Sequence, residues 1–130
     1  MMPLPWSFIG CIAMALAVMS GAFGAHALKA QLSPEMLSIW ETSARYHVYH
    51  SAALFAVDLA QLLSPAGAPR SPWLQVAGWL FVAGLILFCG SLYVLALTEK
   101  RWLGAITPLG GLAWIVGWLC LAYALWSSRG

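Results

Sequence analysis

Arg45-Tyr46-His47-Val48-Tyr49-His50 gathers a guanidinium, two imidazoles and two phenols into six residues. A neutral imidazole can bind a transition metal, relay a proton, or donate and accept hydrogen bonds according to its tautomer. A guanidinium beside it can hold a phosphate or a carboxylate. On a helix His47 and His50 stand one turn apart, within reach of a common ligand. The same periodicity adds Ser51, Asp58 and Gln61 to one polar stripe. Asp58 follows His47 by about 16 Å of helix axis at about 1.5 Å per residue. That is too far to orient either imidazole, so no carboxylate completes a triad. No phosphate loop, H-E-x-x-H, G-x-S-x-G or dinucleotide fingerprint occurs. No catalytic residue is assigned, and no cofactor is called for.

The elements that hold these residues must be membrane helices. Of the 130 residues 62% are hydrophobic and 8% charged, against about 25% charged in soluble domains. A soluble domain of this size cannot hide so much apolar surface. The net charge is +2, without a basic tract, which argues against nucleic acid as a partner. Cys11, Cys89 and Cys120 lie in apolar runs and form no C-x-x-C pair, so they read as small apolar residues. Phe8-Ile9-Gly10-Cys11 lacks the basic n-region and the full apolar run of a lipoprotein signal, so the first segment reads as a retained span.

Four apolar segments, each opened by a proline in the first helical turn, are expected at about 6–25, 34–63, 72–97 and 108–126. Ser33, Ser71 and Thr107 stand where N-caps belong. Short connections make successive helices antiparallel neighbours. The expected fold is all-α: a single domain over 1–130, built as an integral-membrane four-helix up-and-down bundle. The start of the second segment, Glu35 to Thr42, alternates polar and apolar residues and reads as an amphipathic lead-in at the interface, leaving Ser43 to Leu63 as the span. Glu41 and Arg45 are spaced for an ion pair. Ala13, Ala17, Gly21 and Ala25 recur every four residues and Gly110, Gly117 and Ala124 every seven. Such faces suit close helix contacts within the chain, with a protein partner or with a second copy. Trp6, Trp40, Trp73, Trp102 and Trp126 fall near helix ends, as an aromatic belt would. Lys29, Arg45, Lys100 and Arg101 lie towards the first and third connections, against Arg70 and Arg129 on the other side. This bias puts those connections in the cytoplasm and both termini outside.

Antiparallel packing brings further groups to the histidine end. His26, Arg45, His47, His50, Tyr93 and Thr107 are expected to converge on one membrane-proximal pocket. Three readings of it stand. The histidines pin helix packing through carbonyls or tyrosine hydroxyls. They line a pocket for a partner, a lipid or a small ligand, with Arg45 holding an anion. Or His26, His47 and His50 bind a metal or haem iron. A transporter or proton-linked carrier is the other alternative, and it requires a polar path from the histidines to Asp58.

Gly21-Ala22-Phe23-Gly24-Ala25-His26-Ala27-Leu28, Tyr46-His47-Val48-Tyr49-His50, Phe88-Cys89-Gly90-Ser91-Leu92-Tyr93 with Leu97-Thr98, and Leu103-Gly104-Ala105-Ile106-Thr107-Pro108-Leu109-Gly110-Gly111 form four motifs in order. Together they resemble the domain-of-unknown-function 423 family, whose eukaryotic relatives are called transmembrane protein 256. The family commonly has serine at the position of Cys89. The resemblance implies a small four-helix protein of bacterial inner membranes. It implies no catalytic residue. It places His26, His47, His50, Tyr93 and Thr107 inside family motifs and Asp58 outside them.

Overall fold

A computed structural model describes residues 5–129. Among them the chain is helical throughout and holds no strand. Helix α1 (Trp6–Phe23) runs on without a break into a π-helical segment, Gly24–Leu28. Helix α2 (Pro34–Leu62) is the longest, at 29 residues. Helix α3 (Pro72–Gly84) passes through a second π-helical segment, Leu85–Gly90, into α4 (Ser91–Thr98), making one continuous rod. A 3₁₀ turn at Arg101–Ala105 leads into α5 (Thr107–Ser127).

The capping residues divide. Ser33 accepts the Met36 N–H at 3.2 Å and caps α2. Ser71 makes no side-chain cap. Thr107 is already the first residue of α5, and its hydroxyl is engaged by Ser91 instead. The α4 rod ends on Glu99, which takes the left-handed conformation at φ 58° and returns its N–H to Leu95 O. That geometry closes helix ends and is usually left to glycine.

Three rods, Trp6–Leu28, Pro72–Thr98 and Arg101–Ser127, are long and apolar enough to cross a membrane. Helix α2 is not among them, although at about 1.5 Å per residue it measures about 43 Å. Its polar residues lower its hydropathy, and three of them turn fully inwards. Ser43, His50 and Ser51 are all buried. Helix α1 packs mainly on α2, and α5 mainly on α3. Helix α2 and the α3–α4 rod form the shared middle.

The α1–α2 register corrects the expectation of an interfacial lead-in. Trp40 donates to Ser20 O, Gly10 lies against the Ser51 carbonyl, and the Ser7 N–H donates to Asp58 Oδ2 at 2.7 Å. The two helices therefore run antiparallel along their whole lengths. Residues 34–42 lie beside the last turns of an apolar rod instead of turning off along a surface. His47 and His50 consequently sit near the middle of the rods. Asp58 caps the first turn of α1, where a carboxylate suits both the free N–H groups and the helix dipole.

Three smaller expectations are also corrected. The inward face of α1 is Trp6, Gly10, Ala13 and Ala17, continued by Gly24 and Leu28. Gly21 and Ala25 are exposed, and a methyl group added to Gly21 would meet nothing. A strict four-residue repeat drifts around a 3.6-residue helix, and the π segment resets the phase. Trp6 and Trp40 are buried core residues, whereas Trp73, Trp102 and Trp126 are exposed at rod ends. Glu41 and Arg45 are exposed and do not pair. The ion pair among the described residues joins Glu35 to Arg101, whose two guanidinium nitrogens reach its carboxylate at 2.9 and 3.1 Å. That pairing holds the Glu35 carboxyl below its ordinary 4.5 and fastens the start of α2 to the α4–α5 connection. In α5 the seven-residue face holds. Gly110, Gly117 and Ala124 are all buried, with Gly110 against the backbone of Phe88.

Candidate functional site

The six candidate residues do not share one cavity. His26 lies exposed in the π segment after α1, and Arg45 is exposed on the outer side of α2. Thr107 bonds Ser91 Oγ at 2.7 Å, and Ser91 in turn donates to Phe88 O, a contact between α4 and α5. His47 and Tyr93 are brought together. His50 faces a different helix.

His47 belongs to a polar knot where α1, α2 and α4 meet. Its Nδ1 lies 2.9 Å from the Tyr93 hydroxyl. The Tyr93 ring leans on Trp40, with centroids 4.5 Å apart, and the Trp40 indole N–H donates to Ser20 O at 2.8 Å. One turn before His47, the Ser43 hydroxyl donates to Cys89 O at 2.9 Å. The Cys89 thiol returns a bond to Ser43 O at 3.4 Å. Both side chains are buried. The π turn carries Cys89, and π-bulges are frequent at functional sites. Gly24 is what lets Trp40 enter, since a methyl group there would fall 2.5 Å from the indole.

His50 is fully employed. Its ring lies flat on Trp114, with centroids 3.6 Å apart and planes 4° from parallel. The Trp118 indole N–H donates to Nε2 at 3.2 Å, so Nε2 is an acceptor and the proton sits on Nδ1. Nδ1–H then donates to Tyr46 O at 2.9 Å, the bond a helical carbonyl can accept. Neither nitrogen is left for a ligand. Among the described residues no group of three or more His, Cys, Asp or Glu is disposed to hold a metal ion. His26, His47 and His50 do not come together, because they lie on different elements or face different neighbours.

The space between the histidines and Asp58 is filled. Ala53, Leu54, Val57 and Phe81 are all buried there in the main core cluster. Among the described residues no string of polar side chains crosses it.

A groove opens beside His47. It has a volume of about 400 Å³ and is walled by Phe8, Ile12 and Leu16 of α1 and by Val82, Leu85 and Ile86 of the facing rod. Among the described residues His47 is its one polar side chain. The groove exists because α1 packs on α2 and stands off the α3–α4 rod. A second groove of about 350 Å³ lies between α2 and α5 and is lined by Tyr46, His50, Phe88, Trp114 and Trp118.

Sequence reasoning found His47 and Tyr93 but missed Ser43, Trp40 and Ser20. Ser43 stands one helical turn before His47, a spacing that was available as a signal. Trp40 was absorbed into the belt pattern. Ser20 acts through its backbone carbonyl, which no residue type announces.

Comparison with known proteins finds relatives that are membrane proteins. The chain is 46% identical over 117 residues to the UPF0382 membrane protein YwdK of Bacillus subtilis, covering 89% of this chain and 91% of the relative. It is 45% identical over 116 residues to the UPF0382 membrane protein SERP0230 of Staphylococcus epidermidis, covering 89% and 90%. It is 41% identical over 122 residues to the UPF0382 membrane protein SAB0533 of Staphylococcus aureus, covering 94% and 95%. No solved structure matches the chain. The profile of the family described as "Protein of unknown function (DUF423)" matches residues 20–111, which include the π segment after α1, the His47–Tyr93 knot and the Gly110 contact. With that match and these relatives, the chain belongs to the DUF423 family of membrane proteins.

Proposed function

We propose that this chain is a multi-pass inner-membrane accessory protein that holds one long-chain amphiphile, a lipid or lipid-like ligand, in the groove beside His47. In this reading all four rods cross the bilayer as an up-and-down bundle. Lys29, Lys100 and Arg101 keep the first and third connections on the cytoplasmic side, against Arg70 and Arg129 outside.

One observation carries the reading: a half-buried imidazole forms part of the wall of an otherwise apolar groove. Lipid tails cannot satisfy an imidazole nitrogen, and a polar group left to hydrocarbon costs several kcal/mol. An amphiphile with a hydroxyl, carbonyl or similar group at that depth satisfies it, while its chain fills the apolar walls. The volume of about 400 Å³ is in the range of small-molecule sites. Tyr93 fixes the ring by engaging Nδ1.

The test is extraction from native membranes in lipid nanodiscs, followed by mass spectrometry of the retained lipids. One amphiphile class should be enriched over the bulk membrane at close to one per chain. His47→Leu should lose it, and Val18→Ala, on the outer side of α1, should keep it. A retained lipid profile equal to that of the bulk membrane in the native chain would reject the reading.

A further inference from the structure

We propose that the outer face of α2 is a docking surface for a second copy of this chain, matched through Glu41 and Arg45. The proposal is independent of the groove, which opens on another side of the helix.

Of the inward polar residues of α2, Ser43, His47, His50, Ser51 and Asp58 have partners in the fold, and Gln61 Oε1 is buried without one. Of the outward charged residues, Glu35 pairs with Arg101, whereas among the described residues Glu41 and Arg45 form no ion pair. Glu41, Arg45, Tyr49 and Ala52 follow each other by four, four and three residues along one exposed stripe, with Val48, Phe55 and Leu59 beside them. The α1–α2 register fixes their height. Trp40 is level with Ser20 and Ser51 with Gly10, so Arg45 falls between them, beside the middle of the Trp6–Leu28 rod. From the start of α2 it is about 16 Å along the axis. The membrane's hydrocarbon is about 30 Å thick, so Arg45 and Glu41 enter it from their side. Charged groups within a bilayer pair with one another or face a partner. Here they face outwards, and they are not bonded to each other.

A second copy supplies the missing partners without any new chemistry. Two chains inserted in the same orientation are related by a two-fold axis along the membrane normal, and such an interface is self-complementary. Side chains on a helix lean towards its N-terminus. The Arg45 guanidinium therefore drops to the level of Glu41, and across the axis it meets the Glu41 of the second copy, twice by symmetry. Ala52, small and central on the same stripe, lets the two helices approach. Tyr49 lies between the charged level and Ala52 and is half exposed, at 52%.

Cysteine cross-linking in native membranes tests this. The background is the full chain with Cys11→Ser, Cys89→Ser and Cys120→Ala. Ala52→Cys should oxidise to a species of twice the chain mass, whereas Leu119→Cys, exposed on α5, should not. Adding Arg45→Glu should lower that cross-link at least tenfold, and the further change Glu41→Arg should restore it. The proposal is overturned if Ala52→Cys cross-links no better than Leu119→Cys. It is also overturned if Ala52→Cys joins a different protein instead of a second copy, or if the charge-reversed pair fails to restore the product. The Ala52→Cys comparison leaves both charges untouched, so it stands even where Arg45→Glu impairs folding. A dimer that forms while no amphiphile is retained separates this proposal from the groove reading.

Discussion

His47 and His50 differ by three positions and by almost everything else. Their spacing promised a shared ligand, but 60° of helix rotation sends one towards Tyr93 and the groove beside α1 and the other into the aromatic wall of α5. The sequence carries the residue types and the spacing. It does not carry the neighbours, and the neighbours decide which nitrogen is free. For His50 the answer is neither, because Trp118 fixes Nε2 as an acceptor and Tyr46 O takes the Nδ1 proton. This predicts an asymmetric cost. His50→Phe keeps a ring on Trp114 but orphans the Trp118 N–H, and an unpaired donor costs about 1–3 kcal/mol. Adding Trp118→Phe removes the orphan, so the double variant should regain most of that loss. Unfolding in mixed detergent micelles reads both. If the double variant is as unstable as the sum of the two single ones, the Trp118–His50 bond is not a significant contact.

At the scale of elements, the starts of the four rods were legible because proline opens each one, and their apolar content marked three of them as spans. Two things were hidden. Continuity of α2 through Glu35–Thr42 depends on what lies beside it, and only the contacts of Trp40 and Asp58 with α1 set that register. Which glycines face inwards was also hidden, because the π segments at Gly24–Leu28 and Leu85–Gly90 shift the helical phase and leave no simple pattern. Gly110 and Gly21 look alike in sequence, yet they make opposite predictions. A methyl group on Gly110 would collide with the backbone of Phe88, which cannot rotate away. Gly110→Ala should therefore destabilise by about 1–3 kcal/mol, the range for overpacked sites. Gly21 has open space around its Cβ position, so Gly21→Ala should be neutral or slightly stabilising, since glycine costs a helix about 1 kcal/mol relative to alanine. The same micelle unfolding assay separates them. Equal destabilisation of both would restore the four-residue face that the sequence suggested.

At the scale of the whole molecule, the consequence of the register is depth. Reading α2 as an interfacial turn followed by a span put the histidines near a membrane face. Reading it as one rod alongside α1 and the α3–α4 rod predicts that they lie near mid-membrane. The difference is measurable through the tryptophans. Trp118 bonds His50 and is 43% exposed, about 14 Å back from the end of α5 at about 1.5 Å per residue. Trp102 and Trp126 are exposed at opposite ends of the same rod, at 65% and 74%. In bilayers whose acyl chains carry bromine at defined depths, a variant retaining Trp118 as its sole exposed tryptophan should be quenched most by bromines near the chain ends. Variants retaining Trp102 or Trp126 should respond most to bromines near the headgroups. Fluorescence at each bromine depth gives the order directly. A shallow Trp118 would return the histidines to a membrane face. It would also remove the reason for Glu41 and Arg45 to seek a partner, because at that depth water reaches both.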